Sequence, residues 1–174
     1  MIVMAELLLI YTIGHSNLNF QCFVNLLKSF SIDLVGDVRS DPYSRYVPYF
    51  NKSEMEVHLP PHGISYLFLG KELGARQKDS SLFDHTGRLD FFKYQKTDRF
   101  LSGVEKLKNL VLKDYKIAIM CTEADPLKCH RFSMISSYIS KNGFLVKHIL
   151  NDGGTIDNSA LEARLGTPIQ GPAA

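Results

Sequence analysis

The chain has 174 residues, of which 45% are hydrophobic and 22% charged, with a formal net charge of +2. That length suits one domain with a full core, and the composition is that of a soluble globular protein. A balance this close to neutral excludes any case for nucleic-acid binding built on bulk charge, and three cysteines leave at least one thiol unpaired, which suits a reducing cytoplasm better than secretion. Residues 1–13 are apolar but carry Glu6, lack a basic start and a small-residue cleavage site, and are too short to cross a bilayer. They read as a buried strand rather than a signal peptide or anchor, with no membrane partner expected.

In chain order, residues 7–13 are a continuous apolar run closed by Gly14, the pattern of a strand buried on both faces. Asn17 is placed to cap a helix in which Phe20, Phe23, Val24, Leu27 and Phe30 recur at helical spacing. Residues 32–38 predict a second strand, and residues 39–50 a long loop rich in Pro, Tyr, Ser and Arg. Residues 51–59 predict a short helix stopped by Pro60 and Pro61, and residues 64–69 a third strand. Residues 72–89 show no clear periodicity and read as a loop or flap. Residues 91–112 predict a long amphipathic helix, irregular near Gly103. A fourth strand at 116–120 leads to a helix at 127–141, ended by Asn142-Gly143. Residues 144–150 predict the fifth strand, 151–154 a turn, and 158–165 a last short helix before a Pro- and Gly-rich tail.

Strands alternating with helices imply a single α/β domain over 1–174, with a mainly parallel five-stranded sheet and helices on both faces. Ligands of such sheets bind at the carboxyl ends of the strands. The unusual polar residues fall there: Gly14-His15-Ser16-Asn17 after the first strand, Asp37 to Ser40 at the second, Gly70-Lys71 after the third, and Cys121-Thr122-Glu123 after the fourth.

The segment CTEADPLKCHR, residues 121–131, is the densest in chemistry. A strand ending in a thiol and turning into a helix start suits an anion site, a reactive cysteine, or both. Cys121 fits a nucleophile, a metal ligand or a buried structural cysteine, and the last is the commonest role of a free thiol. Cys129, His130 and Cys121, with His15, offer four donors, but their spacing matches no standard zinc pattern, so no metal and no cofactor is assigned. His15 suits acid–base work. Asp37 and Arg39 project to one side of their strand as an ion pair, with Asp37 a base or an orienter of His15 and Arg39 an anion holder, or both merely braces of the loop. Arg45 among Tyr43, Tyr46, Pro48 and Tyr49 can stack bases and pair with phosphates, or belong to a self-packed loop. Arg39, Arg45, Lys71, Arg76 and Lys78 together make a basic rim.

The set GHSN at 14–17, DVRS-x-P-x-SR at 37–45, LGK-x-LG at 69–74 and C-T-E-x-x-P-x-x-C-H-R at 121–131 resembles the family of uncharacterised proteins named DUF488, over about residues 10–150. The resemblance carries no established activity. Some such proteins have been suggested to act in nucleic-acid metabolism. The family motifs fall on His15, Asp37, Arg39, Ser44, Arg45, Lys71, Cys121, Glu123, Cys129, His130 and Arg131, and Ala75 departs from the glycine that related chains often carry there.

The function expected is an anion-binding enzyme acting on a nucleotide, nucleic-acid end or small phosphoester. Arg39, Arg45, Lys71 and Arg131 would hold the anion, aided by Ser16, Asn17, Ser44, Cys129 and His130. His15 and Glu123 would move protons, Asp37 would orient, and Cys121 would be the nucleophile or the pocket wall. The alternative is a non-catalytic nucleic-acid-binding module using the same basic edge.

Overall fold

The computed structural model describes residues 8–166. The expectations for residues 1–7 and for the tail at 167–174 lie outside the described residues. Six strands form one mixed sheet: β1 (Leu8–Gly14), β2 (Leu34–Asp37), β3 (Ser65–Phe68), β4 (Ile117–Cys121), β5 (Phe144–Ile149) and β6 (Thr155–Asp157). Their order is β3-β2-β4-β1-β5-β6. The first five are mutually parallel, and β6 pairs antiparallel with β5. The five expected strands are all present. The sheet is nonetheless six-stranded and mixed, because β6 has three residues, too few to show a period.

Alternation along β4 sends Ile117, Ile119 and Cys121 to one face and Ala118 and Met120 to the other. The first face packs on α5 (Asp98–Leu112), through Phe100 and Leu107, and on the segment after β4, through Met134, Ile135 and Ile139. The second packs on α1 (Phe20–Ser29), through Phe23, Val24 and Leu27, and on α2 (Lys52–His58), through Met55. Helices thus cover both faces. Among the described residues no helix is long and apolar enough to cross a membrane.

Three local expectations are corrected. The cap of α1 is Asn19, whose side chain accepts from the Cys22 N–H at 2.8 Å, while Asn17 stays exposed. The long helix at 91–112 is two, α4 (Phe91–Gln95) and α5, and the break falls at Thr97, which caps α5 by accepting from the Phe100 N–H. Gly103 does not break α5. It lets the helix approach α3 (Gly70–Leu73), since a Cβ there would lie 2.7 Å from the Leu73 side chain. The region 72–89 is not all loop, for it contains part of α3, a 3-10 turn at Ser80–Leu82 and a bridge between Phe83 and Leu89.

After β4 the chain makes a 3-10 turn (Pro126–Lys128), then a π-helical stretch (Arg131–Ser136) that runs into α6 (Ser137–Ile139) and ends at Gly143, φ +91°. The final helix is α7 (Asn158–Arg164). The connection after β1 runs over one face toward β2, and that after β4 runs over the opposite face toward β5. The carboxyl ends of β1 and β4 therefore flank a crevice where the strand order reverses, the place where open α/β sheets bind ligands.

Candidate functional site

Two polar assemblies meet at this crevice. The first is centred on the fully buried Asp37. Arg39 donates from Nε to Oδ1 at 2.9 Å and from Nη2 to Oδ2 at 2.6 Å, its own N–H donates to Oδ1, and the Tyr66 hydroxyl donates to Oδ2 at 2.6 Å. Four donors fill the acceptor sites of the carboxylate. Arg39 Nη2 also donates to the Phe50 carbonyl, and Nη1 to His15 Nε2 at 3.1 Å. A guanidinium only donates, so His15 Nε2 accepts and its Nδ1–H donates to the Ser16 carbonyl at 2.9 Å. The ring is stacked on Phe50 at 4.3 Å. Burial first, and then the Arg39 charge, lower the His15 pKa to about 4, so it is neutral at pH 7. Desolvation opposes the charge on Arg39, but the hydrogen bonds and charge of Asp37 outweigh it and raise its pKa. Burial, then Asp37, push the Tyr66 phenol up.

The second assembly is built by the loop after β4. Arg131 is fully buried and turns inward rather than toward the crevice. Its Nη1 donates to the Glu123 carbonyl at 2.5 Å, Nη2 to the Ala124 carbonyl at 3.1 Å, and Nε to Thr12 Oγ1 at 3.1 Å. Gly14 makes room for this loop, because a Cβ would lie 1.7 Å from the Glu123 carbonyl oxygen. A relay continues inward. The Thr12 hydroxyl donates to His148 Nδ1 at 2.7 Å, and His148 Nε2–H donates to Asn158 Oδ1 at 3.1 Å. Burial is the main reason the His148 pKa falls to about 4.

Held by this loop, Cys121, Cys129 and His130 place one donor atom each within 4.8 Å of one another. Each thiol is 4% exposed. His130 Nε2 lies 3.2 Å from the Val38 carbonyl, which can only accept, so Nε2 carries the proton. The Nδ1 lone pair then accepts from the thiol side, 3.7 Å from Cys121 Sγ and 3.9 Å from Cys129 Sγ. The Arg131 N–H lies 3.4 Å from Cys129 Sγ, and Cys121 Sγ lies 3.2 Å from Glu123 Oε2. The sulfurs differ electrostatically. A hydrogen bond from Cys121 and the Arg131 charge outweigh burial and hold the Cys129 pKa below the usual thiol range. The same hydrogen bond, burial and the nearby charges of Cys129 and Glu123 push Cys121 up. Partial burial pushes Glu123 up, but hydrogen bonds from Cys129, its own backbone and Cys121 bring it below the usual carboxylate range.

Of the expected site residues, the fold brings together Cys121, Glu123, Cys129 and His130, and beside them His15, Asp37 and Arg39. Ser16 stands next to His15 with φ +47° and its N–H on the Thr122 carbonyl. The Ser44 hydroxyl is spent on the Tyr46 and Val47 N–H groups within its own loop. Arg45 and Lys71 are exposed on the segments after β2 and β3. His15 takes no part in the thiol cluster. Sequence reasoning missed Tyr66, Phe50, Thr12, His148 and Asn158. A histidine inside the apolar run 144–150 was the one signal for the relay. A separate groove of about 1050 Å³ is lined by Leu89, Phe91, Ser133, Ser137 and Tyr138 and includes none of the thiol cluster.

A family model described as "Domain of unknown function DUF488" matches residues 19–139, which include both thiols, Glu123, His130, Asp37 and both buried arginines. The chain matches no curated protein and no solved structure. With the model matching well over half of its length, the chain belongs to the DUF488 family.

Proposed function

We propose that this protein is an enzyme whose working centre is Cys121, Glu123, Cys129 and His130, and that it hydrolyses or transfers a group on a nucleotide, a nucleic-acid end or a small phosphoester. One observation carries the reading: the His130 tautomer, set by the Val38 carbonyl, turns the Nδ1 acceptor onto two thiol sulfurs. Glu123, exposed beside Cys121, is the proton carrier on the open side. Arg39 and Arg131 are committed to Asp37, Phe50, Thr12 and backbone carbonyls, so exposed Arg45 and Lys71 are the better anion holders. The reducing cytoplasm is the compartment that fits three free thiols.

The test is turnover of a panel of phosphomonoesters, phosphodiesters and nucleotides by the wild type, His130→Gln and Glu123→Gln. Loss of an acid–base group lowers the rate by about 10²–10⁴-fold. Turnover indifferent to both substitutions would remove the assignment.

The binding-module reading has its own support. Tyr43 and Tyr46 are 71% and 87% exposed on either side of Arg45, an arrangement able to stack single-stranded bases. Binding to an oligonucleotide that weakens steeply with salt, and is lost in Tyr46→Ala without any turnover, would favour it.

A further inference from the structure

We infer that Cys121, Cys129 and His130 are the protein ligands of one divalent metal ion of the zinc class, with the fourth position open beside Glu123. The inference rests on reading this cluster as the working centre and names the ion it would use, with His130 then acting as a ligand and Glu123 left as the proton carrier.

Bonds of about 2.3 Å to sulfur and about 2.0–2.1 Å to nitrogen, at tetrahedral angles, separate a sulfur from a nitrogen ligand by about 3.6 Å. The observed Sγ to Nδ1 separations are 3.7 Å and 3.9 Å, so each sulfur–nitrogen pair needs only a few tenths of an ångström of contraction, and the two sulfurs, within 4.8 Å of one another, would close to about 3.8 Å. All three donor atoms lie within 4.8 Å of one another. The imidazole is oriented as metal-binding histidines are, with its far N–H on a carbonyl and its lone pair turned to the donors. The Arg131 N–H on Cys129 Sγ is the matching outer contact on sulfur. Two thiols and an imidazole select a borderline-soft ion, zinc before magnesium or calcium.

The charges are compatible with the ion. Arg131 is wholly buried, yet its guanidinium meets only neutral acceptors: two carbonyls and the Thr12 hydroxyl. A buried cation needs a compensating anion nearby. Two thiolates, a neutral imidazole and a divalent ion sum to zero, and the Glu123 carboxylate brings the centre to minus one. Binding the ion displaces the remaining thiol protons to solvent. Three protein ligands with an open fourth position is the arrangement of a catalytic rather than a structural zinc site, able to polarise a phosphoryl oxygen.

The experiment is metal uptake by the full chain, purified reduced. Zinc is expected at about one equivalent after desalting, and cobalt in its place should show a thiolate-to-metal charge-transfer band. Zinc should protect Cys121 and Cys129, but not exposed Cys22, from alkylation. Cys129→Ser should weaken the site by more than about 100-fold, beyond the loss expected for outer contacts alone, while Cys22→Ser leaves it unchanged. Should Cys129→Ser fail to fold, stoichiometry and protection in the wild type decide. A folded, reduced wild type that takes up neither ion overturns the inference. So does a phosphoesterase activity that survives complete removal of metal, which would leave the proposed function standing. Uptake without any turnover retains the metal site and removes the proposed function.

Discussion

Asp37 and Arg39 form a buried, two-pronged ion pair at 2.6 Å and 2.9 Å, with the Asp37 side chain fully closed from solvent and Arg39 6% exposed. The pair ties β2 to the long loop through the Phe50 carbonyl and to β1 through His15. Every acceptor site of the carboxylate is filled, so its work is to brace the crevice.

Removing Arg39 leaves Asp37 charged and buried. Arg39→Ala is expected to destabilise the fold by about 3–5 kcal/mol, read from urea unfolding. Arg45→Ala, on an exposed side chain, should stay within about 0.5 kcal/mol. Equal effects of the two substitutions would contradict the bracing role.

The relay through His148 predicts the acid behaviour. Its pKa lies at about 4 in the fold against 6.5 as the ordinary value. Between those values the unfolded chain takes up a proton that the folded one refuses, so stability falls as pH falls. It should be intact above about pH 6.5, decline by roughly 3 kcal/mol through the window, and level off below about pH 4. His15 acts with the same sign. Unfolding midpoints at several pH values should show a shallower slope for His148→Gln. An unchanged slope would assign the acid sensitivity elsewhere.

Gly14 is required by the loop that carries the thiol cluster. In Gly14→Ala the new methyl meets the Glu123 carbonyl, the acceptor of Arg131. A loss of at least about 2 kcal/mol is expected in thermal or urea unfolding. Wild-type stability in this variant would mean that the loop runs elsewhere.

Accessibility of the thiols should follow burial. Peptide mapping after brief alkylation is expected to find Cys22 modified first, with Cys121 and Cys129 following slowly. Equal labelling of all three would show a crevice more open than this geometry.

The sheet was legible because β1 and β4 are apolar runs buried along most of their length, and the shorter or mixed β2, β3 and β5 are still bounded by glycine, polar loops or prolines. The meeting of chemistry at one edge was legible too, since parallel strands put all their carboxyl ends on one side. β6 was not, because three half-exposed residues carry no period. The cap of α1 was misplaced by two residues because Asn17 and Asn19 are chemically alike, and only the backbone path decides which side chain meets the Cys22 N–H.

Composition and pattern alone thus pointed to an α/β fold with polar residues gathered at its strand ends, because burial and periodicity are local properties of a chain. The roles of those residues were decided by tertiary structure. A register of one residue sets the face of Cys121, the Val38 carbonyl just past β2 sets the proton on His130, and loop closure over Gly14 spends Arg131 on backbone oxygens. Tautomer, commitment of a charge, and the approach of two sulfurs to one nitrogen are relations between distant segments, and no spacing along the chain encodes them.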